Sequence, residues 1–290
     1  MGTDKPLIGF IGTGVMGKSM AQNLMDSGYS IAVFTRTKDK AQELLDKGAV
    51  WKESVAELAN SADIIITIVG YPTDVESVYF NEGGIIENAR QGTYVIDMTT
   101  SKPKLAVEIF EKAKARGISA LDAPVSGGDI GAKSGKLAIM VGGEQQAFHE
   151  VKPIFNVLGE NIILQGDAGA GQHTKLANQI TIATNMIGVC EAIAYARKTG
   201  LNPSRVLDSI TTGAAGSFSL SKLAPRMLEG DFAPGFYVKH FIKDMTIALE
   251  SAEEMGLSTP GLSLSLELYQ ELAEKGEEDS GTQALIKLFD

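Results

Sequence analysis

Between Gly166 and Gly200 the chain reads GDAGAGQHTKLANQITIATNMIGVCEAIAYARKTG. A glycine-rich turn opens it, and then about 28 residues pass with no proline and only Gly188 as a break; at 1.5 Å per residue such a helix spans roughly 42 Å. One layer of a small domain needs less, so the stretch reads as a spine joining two domains. Its middle is apolar nearly all round (Ile180, Ile182, Ala183, Met186, Ile187, Val189, Ala192, Ile193), the pattern of a helix buried on most faces. Asn178, Gln179, Asn185 and Glu191 interrupt the run and set it apart from a membrane span. Near its start, Lys175 shares a helix face with Asn178 and Gln179, three and four residues on. Spacing alone leaves two readings of that lysine open. One is a surface residue with its stem on apolar neighbours and its ammonium in water; the other is a placed proton donor.

Two domains fit in 290 residues. A hydrophobic fraction of 44% and a charged fraction of 21% are those of an ordinary soluble globular protein. The net charge of −10 argues against nucleic acid or an anionic membrane surface as partner. Cys190 is the single cysteine, which rules out an intramolecular disulfide and a cysteine-based metal cluster. A reducing compartment follows, and the absence of a charged-then-apolar leader adds the expectation of a cytoplasmic protein. His149, His173 and His240 show no metal-ligand spacing, and no metal is expected.

Read in order, the chain alternates strand and helix. Leu7–Ile11 is an apolar run that leads into Gly12-Thr13-Gly14-Val15-Met16-Gly17 and then a helical pattern. Strand, G-x-G-x-x-G, helix is the dinucleotide-binding arrangement. Gly12 makes the turn, Gly14 admits the pyrophosphate to the backbone, and Gly17 lets helix and strand close up. The helix amino end then presents free N–H groups and a positive dipole to phosphate. The next strand, Ser30–Phe34, ends in Thr35-Arg36-Thr37, with no acid before Asp39. An acid here would hold a ribose 2′-OH; Arg36 instead suits a 2′-phosphate, with Thr35 and Thr37 as hydroxyl donors. A solvated loop arginine is the other reading. NADP is the expected cofactor, with NAD as the alternative.

Further strands are expected at Asp63–Val69, Thr93–Asp97, Ile118–Leu121, Leu137–Val141 and Ile162–Leu164, with helices at Ala41–Lys47, Val55–Asn60, Lys104–Arg116 and Glu144–Leu158. Val69 and the turn Gly70-Tyr71-Pro72 fall at the carboxyl end of the sheet, where cofactors bind in such folds. Another strand exits into Asp122-Ala123-Pro124-Val125-Ser126-Gly127-Gly128-Asp129. That sequence is either a plain turn or a nest of N–H groups with a hydroxyl, suited to a carboxylate. After Gly200 only helical patterns remain, at Pro203–Thr211, Leu220–Leu228, Lys239–Met255 and Leu262–Lys275, with Pro225 inside or bending one of them. Lys239 and Lys243, four apart, read as surface charges of an amphipathic helix. The apolar Ala284–Phe289 packs either in its own domain or against a partner. The expected architecture is α/β: a Rossmann-type doubly wound sheet in 1–166, a linking helix in 167–199 and an all-α domain in 200–290.

The motifs GFIGTGVMG at 9–17, DMTT at 97–100, DAPVSGG at 122–128, GAGQHTKLANQ at 169–179 and FYVKHFIKDM at 236–245 follow one another across the whole chain. In that order they resemble the β-hydroxyacid dehydrogenase family, which includes 3-hydroxyisobutyrate dehydrogenase, tartronate semialdehyde reductase and the glyoxylate/succinic semialdehyde reductases. The resemblance implies that Lys175 is the catalytic acid/base. It implies that Ser126, Gly127 and Gly128 bind the substrate carboxylate and that Thr100 lies near nicotinamide and substrate. Lys243 would contact the cofactor, Phe236 and Asp244 would close the site from the helical domain, and Asn178 and Gln179 would join the substrate-binding residues. Many members carry asparagine four residues after the lysine; Gln179 here, with Asn178 before it, looks more like the tartronate semialdehyde reductase branch. The resemblance also implies a homo-oligomer, dimer or tetramer, with a small carboxylate as substrate. Rival readings are an imine reductase, against which Lys175 argues, and a non-enzymatic dinucleotide-binding oligomerisation module, against which the intact Lys175 and Ser126 turn argue.

Overall fold

A computed structural model describes residues Lys5–Phe289. They form two compact units, one running to Lys175 and one starting at Leu176, so the division falls inside the long helix.

The first unit begins β1 (Ile8–Ile11), α1 (Val15–Asp26), β2 (Ile31–Phe34), a 3-10 turn at Lys38–Ala41, α2 (Gln42–Asp46), β3 (Val50–Trp51), α3 (Val55–Ser61) and β4 (Ile64–Thr67). It continues with α4 (Pro72–Phe80), α5 (Ile85–Asn88), β5 (Tyr94–Asp97), α6 (Pro103–Lys114), β6 (Ser119–Asp122), β7 (Val125–Ser126) and α7 (Gly128–Ser134). β8 (Leu137–Gly143), α8 (Gln145–Leu158) and β9 (Gly159–Gly166) lead to α9 (Ala170–Lys198). The strands lie in the order β3-β2-β1-β4-β5-β6-β8-β7, with β9 alongside β8. β1 to β6 are mutually parallel, while β8 runs antiparallel to both β6 and β7.

Side chains alternate between the two faces of a strand, and each face has its own core. Phe10, Val33, Ile66 and Ile96 pack with Met20, Leu24 and Phe155 on one side. Ile11, Ile65 and Val95 pack with Leu58, Val75 and Tyr79 on the other. Burial on both faces is why these strands read as unbroken apolar runs. Gly9 is glycine for the same reason, since a Cβ there would stand 2.4 Å from Leu58 Cδ2.

Several elements were not legible in the sequence. Pro72 reads as part of a turn, yet it opens α4, because proline is tolerated in the first helical turn. The short β3, α5 and α7 offer too few residues to show a period. The expected helix Ala41–Lys47 is a 3-10 turn passing into a five-residue α2.

In the second unit α9 is followed by α10 (Pro203–Ile210), a π turn at Ser219–Leu223, α11 (Ala224–Glu229), α12 (Val238–Glu254) and α13 (Pro260–Leu272). Pro225 lies in the first turn of α11, where the π turn ends. The core joins Met186, Cys190, Phe241, Met245, Tyr269 and Leu272. The Phe241 and Tyr269 rings meet edge to face with centroids 5.0 Å apart. Tyr269 OH donates to the Thr282 carbonyl at 2.8 Å. That bond ties down a 3-10 turn, Thr282–Leu288, whose Ala284, Leu285 and Ile286 are buried in the same core. The apolar carboxyl-terminal segment therefore packs within its own unit. Along α9 one stripe is exposed, comprising His173, Ala177, Thr181, Thr184, Gly188, Glu191 and Tyr195. Among the described residues no helix is long and apolar enough to cross a membrane.

Leu285→Ala is expected to cost about 2–5 kcal/mol of stability by removing buried methyls and leaving a cavity. Urea unfolding measures it; a loss below about 1 kcal/mol would mean the turn is not part of the core.

Candidate active site

The glycine turn after β1 uses its three glycines in three ways. Gly12 has φ +98°, and a Cβ there would lie 2.1 Å from the Ile68 carbonyl oxygen. A Cβ on Gly17 would lie 2.0 Å from the Gly12 carbonyl oxygen, so α1 packs here only on glycine. Gly14 is different: nothing lies within 4 Å of the Cβ position. The protein itself has no use for a missing side chain at Gly14, whereas a pyrophosphate approaching the backbone does. Thr13 is buried, and its hydroxyl has no hydrogen-bond partner among the described residues. Gly14 caps α1 without a side-chain acceptor, and Val15 is exposed, with Met16 half-buried beside it. An open helix amino end, an unpartnered buried hydroxyl and an unfilled approach fit a dinucleotide.

At the end of β2, Thr35 is half-buried and Thr37 exposed. Arg36 is also exposed, and its Nη1 donates to Asp74 Oδ1 at 2.9 Å. At the end of β4 the half-buried Val69 donates its N–H to Thr99 Oγ1 at 3.0 Å.

The carboxyl ends of β5 and β6 carry two buried acids in facing register, Asp97 and Asp122. Asp97 Oδ1 accepts from Thr67 Oγ1 at 2.8 Å and from the Thr99 N–H at 3.1 Å, and Tyr79 OH stands 3.1 Å from the same Thr67 hydroxyl. Burial pushes the Asp97 carboxyl up to about 6 against these hydrogen bonds. Asp122 takes the N–H of Gly169 on Oδ1 and the N–H of Gln172 on Oδ2, both at 2.8 Å. Burial raises its carboxyl, and those two amides oppose the rise. The amides belong to the start of α9, so Asp122 caps that helix from a neighbouring strand, with its charge at the positive dipole end. Gly171 permits the approach, since a Cβ there would meet the Met140 carbonyl at 2.4 Å and Asp122 Oδ2 at 2.8 Å.

The Gln172 side chain turns back to the β5 exit. Its Nε2 donates to the Thr99 carbonyl at 2.7 Å and its Oε1 accepts the Ser101 N–H at 2.9 Å. The half-buried Thr100 is thereby held between two pinned neighbours, and the buried Ser101 hydroxyl has no hydrogen-bond partner among the described residues. Lys175 lies three residues beyond Gln172 on the same helix face and is buried, at 7% exposure. That burial removes the reading of Lys175 as a surface lysine.

Ser126 is half-buried in β7, paired with Ala138. Gly127 (φ +131°) and Gly128 (φ +63°) follow, a backbone path open to glycine, and α7 starts directly after them. This is a short strand and a two-glycine turn rather than a free strand exit.

Within the helical unit Gln179 is fully buried and donates Nε2 to Asp244 Oδ2 at 2.5 Å. Asn178 Nδ2 donates to Gln179 Oε1 at 2.8 Å, and Lys243 Nζ is 2.7 Å from Asp244 Oδ1. Lys243 is thus largely withdrawn from solvent, contrary to the surface-charge reading, while Lys239 is more exposed and pairs with Asp279. Phe236 packs on Phe241, with ring centroids 5.5 Å apart.

Asp97, Asp122 and Gln172 stood in quoted motifs without a role, and Asp74 and Tyr79 stood outside them. An acid at the last residue of a buried apolar strand was the available signal for the first two. Nothing local marks Gln172, whose side-chain partners are far away in sequence, and the pairing of Asp74 with Arg36 is equally distant, although Asp74 also accepts the nearby Tyr71 N–H.

A parallel sheet with an open glycine turn at the carboxyl end of its first strand, and a buried lysine on a helix capped at the same end, defines an NAD(P)-dependent oxidoreductase of the kind that acts on the CH–OH group of hydroxy acids. Residues 7–166 match the family described as the NAD binding domain of 6-phosphogluconate dehydrogenase. Residues 169–289 match that described as the NAD-binding of NADP-dependent 3-hydroxyisobutyrate dehydrogenase. The chain belongs to the β-hydroxyacid dehydrogenase family. It is 65% identical to an uncharacterized oxidoreductase, YkwC, of Bacillus subtilis, over 98% of this chain and 99% of that one. It is 38% identical to the 2-hydroxy-3-oxopropionate reductase of Escherichia coli, over 98% and 97%. The structure of Mycobacterium tuberculosis 3-hydroxyisobutyrate dehydrogenase with L-serine superposes with a TM-score of 0.90 at 30% identity, covering 98% of each chain.

The glycines separate binding from stability. Gly14→Ala is expected to change unfolding free energy by no more than about 0.5 kcal/mol while weakening NADPH binding at least about tenfold, because a methyl group occupies the pyrophosphate approach. Gly17→Ala is expected to cost more than about 2 kcal/mol of stability. Urea titration and fluorescence titration with NADPH measure both; tight NADPH binding by Gly14→Ala would remove the turn from the cofactor site.

Proposed function

We propose that the protein is an NADP-preferring reductase that converts a small carboxylate-bearing aldehyde into the corresponding 3-hydroxy acid, with Lys175 as proton donor. The observation that carries the reading is the burial of Lys175 one turn beyond Gln172, on a helix whose amino end is held by Asp122. Burying a lysine ammonium carries a desolvation cost, and a proton donor at a reacting carbonyl gives that burial a use. The reduced nicotinamide supplies the hydride.

Charge grows on the carbonyl oxygen as the hydride arrives, and the Lys175 ammonium neutralises it by giving up a proton. In the oxidative direction Lys175 takes the proton back. The Ser126 hydroxyl and the N–H groups of Gly127 and Gly128 hold the substrate carboxylate, and Thr100, between the two neighbours that Gln172 pins, faces the reacting centre. Fixing the carboxylate fixes the aldehyde, which is the share of such a reaction that belongs to the protein. The roles proposed for Asn178, Gln179, Phe236, Lys243 and Asp244 rest on the family motif. Preference for NADP is supported by Arg36 in place of an acid after β2 and by the matched family's description. The Escherichia coli relative's name supports 2-hydroxy-3-oxopropionate, tartronate semialdehyde, as one member of the substrate class. A cytoplasmic homo-oligomer, dimer or tetramer, with no nucleic-acid or membrane partner, completes the proposal.

Absorbance assays with NADPH and NADH test it on glyoxylate, on succinic, tartronate and methylmalonate semialdehydes, and on a cyclic imine. Activity on an aldehyde is expected to favour NADPH, and Lys175→Ala is expected to lower kcat by about 10²–10⁴-fold. Activity on the imine alone, or a Lys175→Ala variant as active as the wild type, would overturn the proposal.

A further inference from the structure

The ion pair between Arg36 and Asp74 has no evident structural duty. Arg36 leaves 82% of its side chain exposed, against 18% for Asp74. The two ends are also held differently. Asp74 Oδ2 accepts the Tyr71 N–H at 3.1 Å, which anchors the carboxylate in the first turn of α4, whereas Arg36 sits on a loop with Asp74 Oδ1 as its hydrogen-bond partner. An exposed pair of this kind contributes little to stability and yields easily to a competitor.

Its position matters more than its strength. β1 lies between β2 and β4, all three parallel, so the loop after β2 and the start of α4 after β4 flank the strand that carries the glycine turn. Arg36 follows β2 and Asp74 lies in the first turn of α4. The pair therefore links the two sides of the cleft that this fold gives to the nucleotide.

We infer that Asp74 is a cofactor-specificity residue, holding Arg36 across the nucleotide cleft and discounting the 2′-phosphate of NADP by competing for the same guanidinium. This rests on the proposed pairing of Arg36 with the 2′-phosphate. A phosphate that takes Arg36 comes within a few ångströms of the Asp74 carboxylate and is repelled by it. A ribose 2′-OH, being neutral, is not repelled, and it can donate a hydrogen bond to the carboxylate. The chain has no acid directly after β2, but α4 brings one to the same arginine from the other side. The wild type is thus tuned to a moderate preference for NADPH rather than an exclusive one.

The test is the ratio of kcat/KM for NADPH over that for NADH, in wild type, Asp74→Asn, Arg36→Gln and the double variant. Asp74→Asn keeps an oxygen for the Tyr71 N–H, so the α4 cap survives. It is expected to raise the ratio about 3- to 10-fold at low ionic strength, with the gain shrinking as salt screens the repulsion. Arg36→Gln is expected to lower the ratio, and in its presence Asp74→Asn should no longer raise it. A ratio that Asp74→Asn leaves unchanged or lowers, while Arg36→Gln still lowers it, overturns the role of Asp74 alone. A ratio indifferent to Arg36→Gln overturns the 2′-phosphate assignment beneath it.

Discussion

A single buried carboxylate, Asp122, decides where the long helix starts. The first amide groups of a helix have no partners within it, and Gly169, directly before α9, has no side chain to cap them. Asp122 supplies both acceptors from the end of β6. A charged acceptor at a helix amino end contributes up to about 2 kcal/mol through the dipole, and a buried donor left without a partner costs about 1–3 kcal/mol. Both effects favour the same register of helix on sheet. Lys175 inherits that register, because it stands in the next turn of the same helix.

The neighbouring acid extends the hold to the other side of the site. Asp97 gathers Thr67 and the Thr99 amide, Thr99 gathers the Val69 amide, and Gln172 ties Thr99 and Ser101 to the start of α9. The ends of β4, β5 and β6 thus reach the lysine helix through hydrogen bonds made almost entirely by buried groups. Such a network is rigid when complete and expensive when broken. It explains why three separate motifs, DMTT, DAPVSGG and GAGQHTK, contain a residue each whose role is to hold another residue in place: Asp97, Asp122 and Gln172.

Much of this was legible before the structure. Unbroken apolar strands ending in glycine turns gave away the parallel sheet, and the proline-free run after Gly171 gave away the helix. Spacing singles out Gly12, Gly14 and Gly17 together, and the structure divides them into two needed for packing, Gly12 and Gly17, and one left open, Gly14. Hidden from the sequence was whatever depends on pairs distant along the chain. Lys175 could be read as buried or exposed until its burial was seen, and Lys243 looked like a surface charge because its spacing from Lys239 suits a solvated face. Pro72 misled because proline stops a helix and also starts one. The carboxyl-terminal run was apolar enough to be noticed, but only the Tyr269 hydrogen bond to Thr282 shows which core it joins.

If Lys175 is the proton donor proposed, Asp122 positions it rather than merely stabilising the fold. Single-turnover NADPH oxidation by stopped flow, in wild type and Asp122→Asn at saturating aldehyde, tests it most directly when run beside NADPH binding and melting temperature. Misplacing the lysine by a fraction of a turn should slow the hydride-transfer step about 10²-fold, while NADPH binding changes less than about threefold, since the glycine turn lies on a different strand. A variant that is less stable yet transfers hydride at the wild-type rate would contradict the claim and leave Asp122 with a structural role only.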